Sequence, residues 1–254
     1  MAVDEAILES VYTGESLPTL RLYAWQPACL SLGHAQPFAE VNMEALTANG
    51  WDVVRRPTGG RAILHVDELT YSVVAPESEP RVKGGVLAGY LQLSRALLEA
   101  LRLLGLSPEA KEKHANKTVQ KTNPVCFEVP SNYEITVNGK KLIGSAQARR
   151  KEGILQHGAL PLYGDLTRII TALSFPDEDT QISATDRLLT HATTVEKELG
   201  RVISWEQASN AFQQAFQDIL NLDLMPDTLT EKEVQRAEEL VNEKYAHSTW
   251  TKRI

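Results

Sequence analysis

The chain has 254 residues, 43% apolar and 23% charged, a globular composition that excludes a disordered or fibrous protein. No run approaches the roughly 18 consecutive apolar residues of a membrane span, and the opening MAVDEAILES carries acids where a secretion signal carries bases, so a cytoplasmic protein is expected. Thirty-three acids against 26 bases leave a net charge of −7, which argues against a generic nucleic-acid binder. A chain this long can bury a core without disulfides, so Cys29 and Cys126 are not scaffolding.

In chain order, residues 1–11 have the spacing of the last turns of an amphipathic helix, through Val3, Ala6, Ile7 and Val11. Residues 19–33 alternate on either side of Gln26-Pro27 and predict two strands joined by a turn, with Cys29 in the second. A helix is expected over 39–49, ending at Asn49-Gly50, then strands over 52–56, 62–65 and 69–74, with Thr58-Gly59-Gly60 turning between the first two. A long helix over 85–104 carries a stripe of Leu87, Tyr90, Leu91, Leu97, Leu98, Leu101 and Leu104, broken by Ser94 and ended by Gly105. Two alternating runs flank Asn138-Gly139, a strong hairpin signal, and a strand over 154–162 should pair with them. From Asp165 onward the pattern is helical, with capping boxes at Ser204/Gln207 and Thr230/Glu233 and Pro226 between them. The fold class is therefore α+β, or mixed α/β, with a helical tail.

Charge is uneven. Between Lys111 and Lys151 nine bases face three acids, so this segment carries +6 and the remainder −13. It is either a solvated basic face or a docking surface for an acidic partner.

No phosphate loop, dinucleotide fingerprint, zinc motif or paired C-x-x-C is present. His65-Val-Asp67 reads as a strand-end hydrogen bond rather than a metal site. Cys29 lies between Ala28 and Leu30 and reads as a small buried hydrophobe. Cys126 lies between Pro124 and Pro130 in the basic segment, where positive neighbours favour thiolate; nucleophile and inert buried thiol both remain open. The stretch Arg55-Arg56-Pro57-Thr58-Gly59-Gly60-Arg61 is either an anion- or acyl-binding turn or a plain β-turn with solvated arginines. Lys140-Lys141 opens a strand, where alternation turns one lysine inward.

Arg55-Arg-Pro-Thr-Gly-Gly-Arg-Ala-Ile-Leu-His65, Glu68-Leu-Thr-Tyr-Ser72, Cys126-Phe-x-x-Pro-Ser-x-Tyr-Glu134, Gly139-Lys-Lys-Leu-Ile-Gly-Ser-Ala-Gln147 and Ile154-Leu-Gln-His-Gly158 together resemble the biotin/lipoate protein ligase family. Within it they most resemble the cysteine-dependent protein N-octanoyltransferases. The resemblance implies a catalytic domain over 1–222, built on a central mixed or antiparallel sheet flanked by helices, and a helical extension over 223–254. It implies transfer of octanoyl from acyl carrier protein to a lysine of a lipoyl-domain protein, such as the glycine-cleavage H protein, without cofactor or metal. Cys126 matches the acyl-thioester nucleophile and Lys141 the lysine that lowers its pKa. Arg56, Thr58, Gly59, Gly60, Arg61, His65, Gly144, Ser145, Ala146 and His157 match positions that bind substrate. Neither nucleic acid nor membrane is an expected partner. Arg149, Arg150 and Lys151 are expected to help dock the acidic carrier.

A donor thioester is already activated, so a thiolate can exchange with it without ATP. Six buried methylenes supply roughly 5 kcal/mol and each discriminates only about fourfold, so chain length is loosely selected unless the pocket has a hard end. The family pattern places a strand before the first helix, so the natural start is expected upstream of Met1. Within the family, an ATP-dependent lipoate–protein ligase is the nearest alternative; it typically has a third glycine where Arg61 stands and no required cysteine at Cys126. A lipoyl-protein amidotransferase is the other.

Overall fold

Asn138 and Gly139 both take positive φ, 49° and 79°, and so form the tight turn the dipeptide predicts. It joins β7 (Tyr133–Val137) to the long β8 (Lys140–Arg150), which returns as β9 (Gly153–Pro161). The structure is a computed structural model that describes residues 1–112 and 133–254; Cys126 lies outside the described residues. The remaining strands are β1 (Thr19–Tyr23), β2 (Cys29–Leu32), β3 (Asp52–Arg55), β4 (Ile63–His65), β5 (Glu68–Ala75) and β6 (Pro108–Glu112). Among the described residues they form an antiparallel sheet of order β1-β5-β9-β8-β7-β6 and a smaller mixed sheet of order β3-β2-β4.

The two strands expected around Gln26-Pro27 both form, but in different sheets: β1 pairs with β5, whereas β2 lies between β3 and β4. The peptide bond at Pro27 is cis. Strand β6 was not expected, because Pro-Glu-Ala-Lys-Glu has no apolar alternation; its place next to β7 follows from pairing alone, and its charged composition suits a sheet edge.

One face of the large sheet is covered by α3 (Val86–Leu103) and α7 (Trp205–Leu220). Leu69, Tyr71 and Ala75 of β5, Ile154 and Leu160 of β9, and Leu97, Leu101, Phe212 and Phe216 of the helices make this core. Burying each such large side chain contributes about 1.5–3 kcal/mol. The stripe read for α3 is partly corrected here: the helix turns Gly89, Leu93, Ala96, Leu97, Ala100 and Leu101 inward, while Leu87 and Leu91 are exposed. Small residues at 89, 96 and 100 let the helix approach its neighbours closely, which a count of leucines does not reveal.

The opposite face carries α1 (Ala2–Thr13) at one end, on Val74 and Leu155, and the smaller sheet at the other. Behind the smaller sheet lie α2 (Met43–Asn49), α4 (Arg168–Thr171) and α5 (Glu178–His191). The helix expected over 39–49 is divided, with a 3-10 turn at Phe38–Glu40 and α2 capped by the Asn42 side chain. A short α6 (Val195–Leu199) precedes α7. Both capping boxes form, at the starts of α7 and α8 (Glu231–Leu240). Helix α8 packs on α1, and α9 (Ser248–Thr251) reaches β3. No helix among the described residues is long and apolar enough to cross a membrane.

Candidate active site

Alternation along β5, β9 and β8 gives the large sheet one face for the α3–α7 core and another for a cavity. Thr70, Ala159 and Gly144 stand in one row across the three strands, and Ser72, His157 and Ala146 in the next but one. The small sheet closes over these rows and leaves a pocket that opens to solvent, about 410 Å³ with the solvent at its mouth included. Of the residues matched to substrate binding, Arg56, Gly59, Gly60, His65, Gly144, Ser145, Ala146 and His157 line it together. Thr58 stands behind, bonded to His157, and the Arg61 side chain turns to Glu40, 3.7 Å away.

The arginines of the Arg55-Arg56 stretch are not solvated. Both are buried, and their donors go chiefly to backbone carbonyls. Arg56 bonds the carbonyls of Gly59 (3.0 Å), Arg61 (2.6 Å) and Ser31 (2.9 Å), so its guanidinium moulds the turn. Arg55 bonds the carbonyls of Gly33, Gln36 and Thr251, the last from α9. The turn is also held by contact: a Cβ on Gly33 would stand 1.8 Å from the Gly60 carbonyl oxygen, so this approach requires glycine.

His157 Nε2 lies 2.6 Å from Thr58 Oγ1, while its Nδ1 has no partner among the described residues. Burial, with Arg56 adding to it and Asp4 opposing, pushes its pKa down to about 3, so the ring is neutral at physiological pH. His65 does not bond Asp67. Its Nδ1 donates to Glu68 Oε1 at 2.6 Å and its Nε2 shares a 2.8 Å hydrogen bond with Ser31 Oγ.

Lys141 is buried and its Nζ lies 3.4 Å from Glu134 Oε1, across the β7–β8 hairpin. Cys29 is buried in β2, and burial pushes its thiol up to about 12, as an inert core residue requires. The basic residues at the end of β8 are mostly engaged: Arg149 bonds Gln147 and the Val82 carbonyl, Arg150 pairs with Glu5 at 3.2 Å, and Lys151 is exposed. The three residues expected to dock an acidic carrier thus sit together at the end of β8, Arg149 and Arg150 partly exposed and Lys151 exposed.

Sequence reasoning missed Ser31, Thr70, Glu68 and Glu134. Ser31 and Thr70 are polar residues in strands otherwise buried on both faces, which is the signal that could have found them. No group of three His, Cys, Asp or Glu side chains among the described residues could hold a metal ion.

The model of the lipoyl protein ligase A/B catalytic domain matches residues 1–217. Octanoyltransferase LipM of Brevibacillus brevis is 42% identical over 258 residues, covering all of this chain and 94% of that protein. Octanoyltransferase LipM of Moorella thermoacetica is 40% identical, covering 100% and 93%. Among solved structures, a bipartite lipoate protein ligase from Thermoplasma acidophilum superposes with a TM-score of 0.78 at 27% identity, covering 99% of this chain and 89% of that one. A lipoate-protein ligase A bound with ATP gives 0.78 at 29%, covering 99% and 92%. The chain belongs to the lipoyl protein ligase A/B catalytic-domain family.

Proposed function

We propose that this chain is a cytoplasmic octanoyltransferase of protein lipoylation, moving octanoyl from acyl carrier protein through a thioester on Cys126 to a lysine of a lipoyl-dependent protein such as the glycine-cleavage H protein. The observation that carries this reading is the pairing of a glycine- and alanine-floored cavity with a buried lysine on the same strand, β8, in a chain that shares 37–42% identity with octanoyltransferases over almost its full length.

The Cys126 thiolate attacks the donor thioester carbonyl, the carrier thiolate leaves, and the octanoyl chain stays in the cavity. The acceptor lysine amine then attacks the Cys126 thioester, forming the amide, releasing the thiolate and giving up a proton to solvent. The Lys141 ammonium supplies positive charge for the thiolate and for the developing oxyanion. No nucleotide enters, because the donor is already activated.

The likeness to lipoate protein ligases favours a second reading, ATP-dependent activation of a free acid. One experiment separates the two. The protein is incubated with octanoyl acyl carrier protein, without ATP, and its intact mass is measured. An added octanoyl group that disappears in Cys126→Ala and survives in Cys29→Ala supports the transferase; modification of the acceptor only with ATP and free octanoate or lipoate establishes the ligase.

A further inference from the structure

On the β5 side the cavity meets a continuous chain of hydrogen bonds. Trp25 Nε1 donates to Thr70 Oγ1 at 2.9 Å, Thr70 donates to Glu68 Oε1, and the same oxygen accepts from His65 Nδ1. His65 Nε2 is hydrogen-bonded to Ser31 Oγ, which accepts from Arg56 Nη1 at 3.1 Å. The Trp25 ring lies flat against the imidazole, 4.3 Å between centroids and 16° from parallel. Ser31, His65 and Thr70 face the cavity; Glu68 and Trp25 back them. Both hydroxyls and both ring nitrogens are used, so an alkyl chain finds a surface that can yield only by breaking buried hydrogen bonds.

The width of the sheet sets a length. Gly144 on β8 and Thr70 on β5 stand in one row with Ala159 between them, two strand spacings or about 10 Å apart. Lys141 lies three residues before Gly144 on β8, and an acyl chain that starts at the Gly144 row and runs across the strands passes over Ala159 of β9 to reach Thr70 of β5. Eight carbons in line span seven bonds, about 9 Å at roughly 1.25 Å of advance per bond in an extended chain.

We propose that the Ser31–His65–Thr70 wall, braced by Glu68 and Trp25, is the end stop that limits the acyl group to eight carbons. The inference rests on the octanoyltransferase reading for the chemistry, but the wall is a property of the cavity and can be tested by binding alone. It converts the loose selection expected of methylene burial into a cutoff, because a ninth and tenth carbon meet a braced polar surface instead of further apolar space.

Calorimetric binding of the free six-, eight-, ten- and twelve-carbon carboxylic acids tests it, beside transfer from the corresponding acyl carrier protein thioesters. In the unaltered protein affinity should rise about fourfold per methylene to eight carbons and then reverse. In His65→Ala/Glu68→Gln, which removes the imidazole without leaving a buried unpaired carboxylate, the rise should continue to ten carbons. Trp25→Ala, at a half-buried ring outside the lining, should relax the cutoff in the same direction and decides the matter if the double variant does not fold. A reversal that stays at eight carbons in the folded variants, or an unaltered protein whose affinity climbs through twelve carbons, overturns the end stop. Failure of transfer with normal binding overturns the transferase reading and leaves the end stop standing.

Discussion

Lys141 Nζ and Glu134 Oε1 lie 3.4 Å apart, with both side chains buried. The carboxylate offsets the cost of keeping an ammonium away from water, so Glu134 acts as a positioning residue for the lysine. Removing one partner of such a pair leaves a buried charge and costs about 3–5 kcal/mol. Glu134→Gln should therefore lower both the unfolding free energy and the rate of Cys126 acylation, and Lys141→Met should do the same. The double variant Lys141→Met/Glu134→Gln should recover much of the stability and none of the activity. Denaturant titration and intact-mass acylation rates check this; recovery of activity in the double variant would remove Lys141 from the chemistry.

His157 gives the protein a distinctive acid response. Its pKa falls from 6.5 to about 3 on folding, chiefly through burial, so between those values the unfolded chain binds a proton that the folded chain refuses. Stability is complete above about pH 6.5 and declines as the pH falls, by up to about 2 kcal/mol between pH 6.5 and 5. Asp4, held at about 2, acts in the same sense only below its ordinary 3.8, so the two windows separate: burial raises its pKa, but the Met1 ammonium first, then Arg21, His157 and the Ser72 hydroxyl, outweigh that. His157→Gln, which keeps a partner for Thr58, should flatten the pH 5–6.5 portion of the stability curve relative to the unaltered protein. Equal slopes in parallel urea titrations would contradict the neutral buried ring.

Arg55 couples the end of the chain to the cavity. Its buried guanidinium bonds Thr251 O through both Nε (3.1 Å) and Nη2 (2.9 Å), while Nη1 holds the loop of Gly33 and Gln36 against which Gly60 packs. Arg55→Ala should cost about 3–5 kcal/mol, because several buried carbonyls lose a charged donor at once. Arg55→Lys should recover only part, since an ammonium cannot reproduce the planar fork. Truncation before Ser248 should weaken octanoate binding although no residue of α9 lines the cavity. Thermal unfolding and calorimetry read the two effects; unchanged octanoate affinity in the truncated chain would separate the tail from the site.

The hairpin at Asn138-Gly139, the boxed helix starts at Ser204 and Thr230 and the turn at Gly59-Gly60 were legible in the sequence, because each is fixed by the φ preferences or the side-chain reach of adjacent residues. Most of the cavity lining was also legible, through the motifs that surround Arg56, Gly144 and His157. Cys126, the proposed nucleophile, remains a reading of sequence, since it lies outside the described residues.

Length, composition and local pattern by themselves determined a mixed α/β chain with a buried thiol at Cys29 and a turn rich in glycine and arginine, while the family was carried by the resemblance of its motifs. Tertiary structure alone decided that the arginines of that turn point inward to carbonyls, that β1 and β2 part into different sheets, and that Ser31, His65, Glu68 and Thr70 join into one wall. The physical reason is separation along the chain. Ser31 lies 34 residues from His65, and Thr58 lies 99 from His157, so no local periodicity can encode a hydrogen bond made only when two sheets close on each other.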